Sequence, residues 1–219
     1  MHSSKDSVAT LAGSVLLVED DAAVRSSLSL LLCLHGLRTE EFASAEEFLA
    51  ATVRERPACA LVDVRLPGMS GLALQARIFR ENRGLPVLLM TALADAEFAR
   101  TALLQGAIDF LEKPIDEGEL LEAVEVALRC DQDQLARNRE RDALVARVGS
   151  LTRHEKDLFE RITDGRQSRE IAEEFGLSLA ALEAQRLRMM EKLQVRRVAD
   201  LFRLRFRIGE CVSGQRAVF

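Results

Sequence analysis

The stretch ALVDVRLPGMSGLAL, residues 60–74, decides the fold that we expect for this chain. It opens with a short apolar run that stops at Asp63, turns at Pro67 and Gly68, and continues with apolar residues at helical spacing. A strand followed by a loop and a helix is the repeating unit of an α/β sheet. The stretch therefore predicts one such unit, with Asp63 at the end of its strand.

Other apolar runs resemble this one, and helix-spaced patterns separate them. The helical spacing is clearest at Val24, Leu28, Leu31 and Leu32. This alternation predicts a doubly wound five-stranded parallel sheet with helices on both faces, an α/β fold. The predicted strands lie at residues 15–18, 39–42 (the weakest run), 59–62, 86–90 and 110–111.

The length of 219 residues suits two domains, each large enough to bury a core. No apolar run approaches the ~20 residues that a membrane span needs, so we expect a soluble, cytoplasmic protein with no membrane partner. Residues 1–13 are Ser-rich and predict a disordered tail. The other predicted parts are the sheet domain at 14–128, a polar and mostly solvated linker helix at 129–149, an all-helical domain at 150–208 and a tail at 209–219.

The charge of each segment indicates its binding partners, and the cysteine spacing indicates whether zinc or disulfides are present. Residues 14–128 hold 10 basic and 19 acidic side chains, net −9, whereas residues 151–219 hold 14 and 11, net +3. An acidic half suits metal and kinase binding, and a mildly basic half suits phosphate backbones.

The cysteines at 33, 59, 130 and 211 are far apart, so we expect reduced thiols and neither a zinc site nor a disulfide framework.

Reactive side chains stand where the apolar runs stop. Ligands of doubly wound sheets bind at the carboxyl ends of the strands, so these side chains are expected to share one crevice. Several carboxylates beside one ammonium form an oxygen-rich site for a hard cation such as Mg²⁺. Asp63 is then a candidate nucleophile toward a phosphoryl group whose charge Mg²⁺, Lys113 and the Thr91 hydroxyl neutralise. The run-end residues are Glu19, Asp20 and Asp21; Asp63; Thr91; and Glu112, Lys113 and Pro114.

Four motifs resemble, in order and spacing, the receiver domains of bacterial two-component response regulators. They are VLLVEDD at 15–21, ALVDVRLPGMSGLAL at 60–74, LLMTA at 88–92 and GAIDFLEKP at 106–114. The resemblance implies a flavodoxin-like fold, a sensor histidine kinase as partner and a cis bond before Pro114. The roles that it implies are the phosphoacceptor Asp63; the Mg²⁺ ligands Asp20, Asp21 and Asp63; Lys113, which contacts the phosphoryl group; and the switch residues Thr91 and Phe110.

The resemblance also implies how phosphorylation would change the protein. Phosphorylation would draw Thr91 toward the phosphoryl group and reposition Phe110. This would change the surface formed by the fourth and fifth predicted helices and the strand between them, and favour a homodimer. The receiver assists only its own phosphoryl transfer and dephosphorylation, so the chain is not expected to be an enzyme in any other sense.

An aspartate-nucleophile phosphohydrolase of the haloacid dehalogenase kind would use the same chemistry. Such an enzyme needs a second Asp two residues after the nucleophile, as its general acid. Arg65 stands at that position, and no acidic residue follows before Pro67. The sequence therefore argues against this class of enzyme.

Helical patterns dominate beyond Ser150, at residues 153–163, 168–175, 179–192 and 197–207. Thr152 and Glu155 have the spacing of a capping box, and Ser168 and Ser178 are candidate helix starts. Residues 151–201 resemble the tetrahelical helix-turn-helix of the LuxR and FixJ family. The resemblance implies a transcription factor that binds double-stranded DNA through its third helix, with RNA polymerase as a further partner.

The third predicted helix has a polar face and an apolar face. Leu182, Met189 and Leu193 share the core-facing side at about 100° per residue, and Arg186 lies near them, where an ion pair with a Glu is expected. On the other side Gln185 offers an amide to adenine and Arg188 a guanidinium to guanine or phosphate. The candidate DNA contacts are Arg169, Ala181, Ala184, Gln185, Arg188 and Lys192, with Arg169 and Lys192 assigned to phosphates.

The predicted DNA face has fewer polar donors than the family pattern. Ala181 stands where Thr or Lys is usual, Gln185 where His is usual, and His154 where Arg is usual. A second interpretation therefore stays open, in which the chain is a phosphorylated protein-interaction module whose C-terminal helical domain does not bind DNA.

Overall fold

The computed structural model describes residues 12–52, 55–81, 84–92 and 106–213, with side chains in the last range described up to residue 207. The chain divides after Ala136 into two compact units. Each unit has its own buried apolar core.

A five-stranded parallel sheet forms the centre of the first unit, which confirms the predicted flavodoxin-like fold. The strand order is β2-β1-β3-β4-β5. The order reverses between β1 and β3, and doubly wound sheets bind their ligands at such a switch point. The strands are β1 (Ser14–Val18), β2 (Arg38–Phe42), β3 (Ala58–Asp63), β4 (Val87–Thr91) and β5 (Asp109–Glu112).

The strand register brings the candidate site residues to one edge of the sheet. Val18 pairs with Val62, so Glu19 and Asp63, which follow them, lie at the same edge. Thr91 ends β4 one position beyond the residue that pairs with Asp63. The predicted convergence of these residues follows directly from this register.

Helices cover both faces of the sheet because successive strand side chains point to opposite faces. One face packs against α2 and α3, and the other packs against α1 and the first part of α4. The alternation also predicts a helix between β4 and β5, but residues 93–105 of that stretch lie outside the described residues. The helices are α1 (Ala22–Leu34), α2 (Ala45–Ala50), α3 (Gly71–Arg80) and α4 (Glu117–Gly149).

Helix α4 runs unbroken through the segment that the sequence predicted to be a solvated linker. Two of its residues differ from that prediction. Asp131 is fully buried, and Leu144, only 1% exposed, lies in the core of the second unit. The segment is therefore less solvated than the sequence predicted, with one buried carboxylate and one leucine in an apolar core.

Asp131 is buried because its carboxylate is fully paired. Its Oδ2 accepts hydrogen bonds from Arg56 Nε at 2.7 Å and from the Ala58 amide at 2.8 Å, while its Oδ1 pairs with the same guanidinium. Arg56 also donates to the Gly84 carbonyl at 2.8 Å. This Arg56–Asp131 pair ties α4 to the amino-terminal ends of β3 and β4.

Four helices and the end of α4 build the second unit. They are α5 (Arg153–Thr163), α6 (Ser168–Glu174), α7 (Leu179–Lys192) and α8 (Val198–Ser213). Helix α8 continues past residue 209, where the sequence predicted a tail. The glycine at position 209 does not end the helix, because one glycine inside a helix costs only about 1 kcal/mol relative to alanine.

The helix starts of the second unit follow the sequence signals. Thr152 and Glu155 form the predicted capping box, and the Ser178 hydroxyl caps α7 by accepting from an amide of its first turn. Ser168 is the first residue of α6, but the cap position is Gln167, which makes no side-chain capping bond. The predicted helix start at Ser168 is therefore confirmed, although no side chain caps this helix.

Candidate functional site

Lys113 lies between two buried carboxylates at the carboxyl ends of the strands. Its Nζ donates to Asp63 Oδ2 at 2.6 Å and to Glu19 Oε2 at 2.7 Å. Glu19 is 1% exposed and Asp63 is 7% exposed, so both acids are largely withdrawn from water. One ammonium thus faces two carboxylates and leaves an excess of negative charge.

The pKa values of Glu19 and Lys113 reflect both burial and pairing. Burial raises the pKa of Glu19, and the nearby Asp63 charge adds to this, while Lys113 opposes both. Burial by itself lowers the pKa of Lys113, but hydrogen bonds to Asp63 and Glu19 outweigh it and leave that pKa raised. The lysine is therefore held in its charged form, next to acids that gain from a further cation.

Glu19, Asp20 and Asp63 have the arrangement of a cation site. One carboxylate oxygen from each lies within 4.8 Å of the others. Three oxygen ligands of this kind, with Asp20 open to solvent, suit Mg²⁺, which keeps several water ligands. The donor set of this chain therefore fits the metal that the sequence predicts.

The structure brings together two of the three predicted metal ligands, Asp20 and Asp63. Asp21, the third, has a different contact. Its Oδ1 accepts hydrogen bonds from the amides of Ala23 at 2.8 Å and Val24 at 3.1 Å, and these bonds lower its pKa. Glu19 belongs to the cluster instead, although the sequence prediction named it only as a run-end residue.

Backbone contacts fix the two loops that carry the acids. Arg25 Nη1 donates to the carbonyls of Glu19 at 2.6 Å and Asp20 at 3.3 Å, and the Arg65 amide donates to Asp63 Oδ1 at 3.0 Å. A Cβ at Gly71 would lie 2.1 Å from the Asp63 carbonyl oxygen, so only glycine fits there. The loop after Asp63 is therefore packed tightly against the start of α3.

The predicted switch residues flank this crevice on β4 and β5. Thr91 is 4% exposed, and its carbonyl accepts a bond of 2.7 Å from the Lys113 amide. Phe110 is partly buried against the core on the α3 side of the sheet. The peptide bond between Lys113 and Pro114 is cis, as the resemblance implied.

The second unit presents five of the predicted DNA contacts on one helix, α7, and the sixth, Arg169, exposed on α6. Arg188, Lys192 and Ala184 are exposed, while Ala181 and Gln185 are partly buried. The opposite side of α7 is the predicted core face, since Leu182, Met189 and Leu193 are 2%, 0% and 0% exposed. Arg186 pairs with Glu183, which confirms its expected structural role.

Two of these contacts have partners on α5 that the sequence prediction missed. Lys192 Nζ lies 2.7 Å from Glu155 Oε1, and Gln185 Oε1 lies 2.7 Å from His154 Nε2. The Lys192 contact lowers the pKa of Glu155. The two residues of the first pair are 37 positions apart and those of the second are 31 apart. Helical periodicity indicates contacts only between residues three or four positions apart, so the sequence carried no direct signal for either pair.

Comparison with known proteins settles the family. Residues 15–125 match the profile described as response regulator receiver domain, and residues 149–204 match that of bacterial regulatory proteins, luxR family. The chain belongs to the response regulators. It combines a receiver domain with a LuxR-type DNA-binding domain, and its relatives include transcriptional regulators. The alternative interpretation, a protein-interaction module that does not bind DNA, is therefore not favoured.

These relatives match this response regulator over most of its length. The transcriptional regulatory protein FixJ of Bradyrhizobium diazoefficiens is 34% identical over 200 residues, covering 91% of this chain and 98% of FixJ. The transcriptional regulatory protein TdiR of Thauera aromatica is 34% identical over 190 residues, covering 87% and 84%. The solved structure of the response regulator StyR has a TM-score of 0.79 at 34% identity, covering 88% and 97%.

The family has consequences for partners and chemistry. A receiver domain implies a sensor kinase, and a LuxR-type domain implies DNA. Receiver domains generally bind Mg²⁺ at an acidic pocket, and response regulators with DNA-binding domains are generally not enzymes. In the described part of the chain, no helix is long and apolar enough to cross a membrane.

Proposed function

We propose that Asp63 accepts a phosphoryl group from a sensor histidine kinase, and that this modification controls promoter binding by the LuxR-type domain. The observation that supports the proposal is the contact of Lys113 with both Asp63 and Glu19, beside Asp20. The Asp63 carboxylate attacks phosphorus and displaces the kinase imidazole. The Lys113 ammonium then neutralises charge on the transferred group.

Mg²⁺, when bound by Glu19, Asp20 and Asp63, would supply further positive charge beside the phosphoryl oxygens. The Thr91 hydroxyl, at the end of β4, is the proposed donor to the phosphoryl group, and Phe110 is its partner on β5. The resulting change around β5 is proposed to favour a homodimer, which presents two α7 helices to a two-fold operator. RNA polymerase is the proposed partner at the promoter.

The metal ligands are tested by carboxylate-to-amide changes. Asp20→Asn is expected to weaken Mg²⁺ binding more than about tenfold, because it removes a charged oxygen from the cluster. Asp21→Asn is expected to change it less than about twofold, since asparagine caps a helix as well as aspartate does. Titration calorimetry with magnesium chloride measures both affinities. Equal losses in the two variants would instead favour the ligand set predicted from the sequence.

The DNA face is tested by removing two of its cations. The beryllofluoride-activated chain is expected to enrich specific genomic fragments, and Arg188→Ala with Lys192→Ala is expected to lose that enrichment. If both side chains contact phosphates, the slope of log affinity against log salt falls by about two. Lys156→Ala, an exposed cation on α5, is the matched control and should keep the enrichment. Absence of enrichment with the unmodified chain would contradict DNA binding.

A further inference from the structure

Three helices of the second unit meet at the side chain of His154. His154 lies in the first turn of α5, and its Nε2 is 2.7 Å from Gln185 Oε1 on α7. Phe175, at the end of α6, holds the imidazole edge-on, with ring centroids 4.8 Å apart and an interplanar angle of 79°. The imidazole therefore has a packing contact on one side and a polar contact with the DNA face on the other.

The direction of this hydrogen bond determines what Gln185 offers to a ligand. An amide oxygen only accepts, so His154 Nε2–H is the donor and Gln185 Oε1 is the acceptor. The Gln185 amide nitrogen makes no such contact with His154 and keeps its two hydrogens for other acceptors. The hydrogen bond therefore fixes the oxygen of the Gln185 amide and leaves the hydrogens of its nitrogen available to a ligand.

Different base edges in the major groove suit a group that only donates hydrogen bonds and an amide that both donates and accepts them. Adenine offers one acceptor, N7, and one donor, N6, so its recognition by glutamine uses both the oxygen and the nitrogen of the amide. Guanine offers two acceptors, N7 and O6. An amide oxygen has two lone pairs, but the bond to His154 fixes the direction of Gln185 Oε1 and so restricts the paired oxygen and nitrogen contact that adenine needs. The two amide hydrogens that suit the acceptors of guanine stay available.

We propose that His154 is a specificity-determining residue, which engages Gln185 Oε1 and so directs Gln185 toward guanine in place of adenine. This inference rests on the proposed function, in which α7 enters the major groove. It replaces the expectation, drawn from the sequence, that Gln185 contacts adenine. His154 acts here by positioning Gln185, and its own contact with DNA is not required.

The experiment uses the full-length chain activated with beryllofluoride and duplexes based on its selected operator. Gln185→Ala first identifies the position that Gln185 reads, as the base pair at which this variant loses discrimination. Affinities are then measured for each of the four base pairs at that position. His154→Phe keeps a ring against Phe175 but lacks the donor, whereas His154→Arg restores a donor, so the two variants form a matched pair. Thermal unfolding checks that both variants are folded.

The unmodified chain is expected to prefer guanine over adenine by about fivefold, and His154→Phe is expected to remove or reverse this preference. His154→Arg is expected to retain the guanine preference. A preference that is unchanged in His154→Phe, or a preference for adenine in the unmodified chain, would overturn the inference while leaving DNA binding intact. Failure of the activated chain to enrich any fragment would overturn both proposals.

Discussion

Asp63→Asn is expected to lower phosphoryl incorporation by on the order of 100-fold or more, because an amide neither attacks phosphorus nor carries the charge that Lys113 pairs with. The loss should be measured as radiolabel transferred from a phosphorylated histidine kinase, and again from acetyl phosphate, which needs no kinase docking. A loss with both donors places the defect in the acceptor itself. The same variant should show no phosphorylation-dependent gain in operator affinity.

Two other variants distinguish the acceptor from its surroundings. Asp21→Asn makes the same chemical change in a neighbouring loop, and it should be labelled nearly as well as the unmodified chain. Lys113→Ala leaves Glu19 and Asp63 facing each other without their shared ammonium, so labelling should fall, with part of it recovered in Lys113→Arg. Undiminished labelling of Asp63→Asn would contradict the assignment of the phosphoacceptor.

Arg56→Leu is expected to lower the free energy of unfolding by about 3–5 kcal/mol, because it leaves the carboxylate of Asp131 buried without its charge partner. Asp131 is 0% exposed and the Arg56 side chain is 23% exposed, so water compensates little for the loss. The chain has no Trp and no Tyr, so urea unfolding should be followed by circular dichroism.

The double variant Arg56→Leu with Asp131→Leu is the control for this prediction. Removal of both charges takes away the unpaired buried carboxylate, so most of the lost stability should return. An unfolding midpoint of Arg56→Leu equal to that of the unmodified chain would show that the Arg56–Asp131 pair contributes little to the fold.

The sequence predicted the parts of this fold that depend on local periodicity. The five strands, their parallel arrangement and the helices of the second unit were all readable from apolar runs and helical spacing. The crevice was predictable too, because Asp63, Thr91 and Lys113 each stand where an apolar run stops. Their convergence follows from the geometry of parallel strands.

The features that the sequence could not predict depend on contacts between distant residues. Three consecutive acids, Glu19 to Asp21, give no sign of which ones turn toward Asp63 until the pairing of β1 with β3 is known. Asp131 looks like a solvated residue because its partner Arg56 lies 75 positions away. Local patterns therefore predict the elements, whereas buried polar pairs need the tertiary structure.

The central claim is that Asp63 is the residue that carries the phosphoryl group, and the most direct measurement locates that group chemically. Borohydride reduces an acyl phosphate to an alcohol, so a phosphorylated aspartate becomes homoserine, which mass spectrometry of the digested chain can place. The account predicts this conversion at Asp63, only after treatment with the phosphodonor. Conversion at another acidic residue, with Asp63 intact, would contradict it.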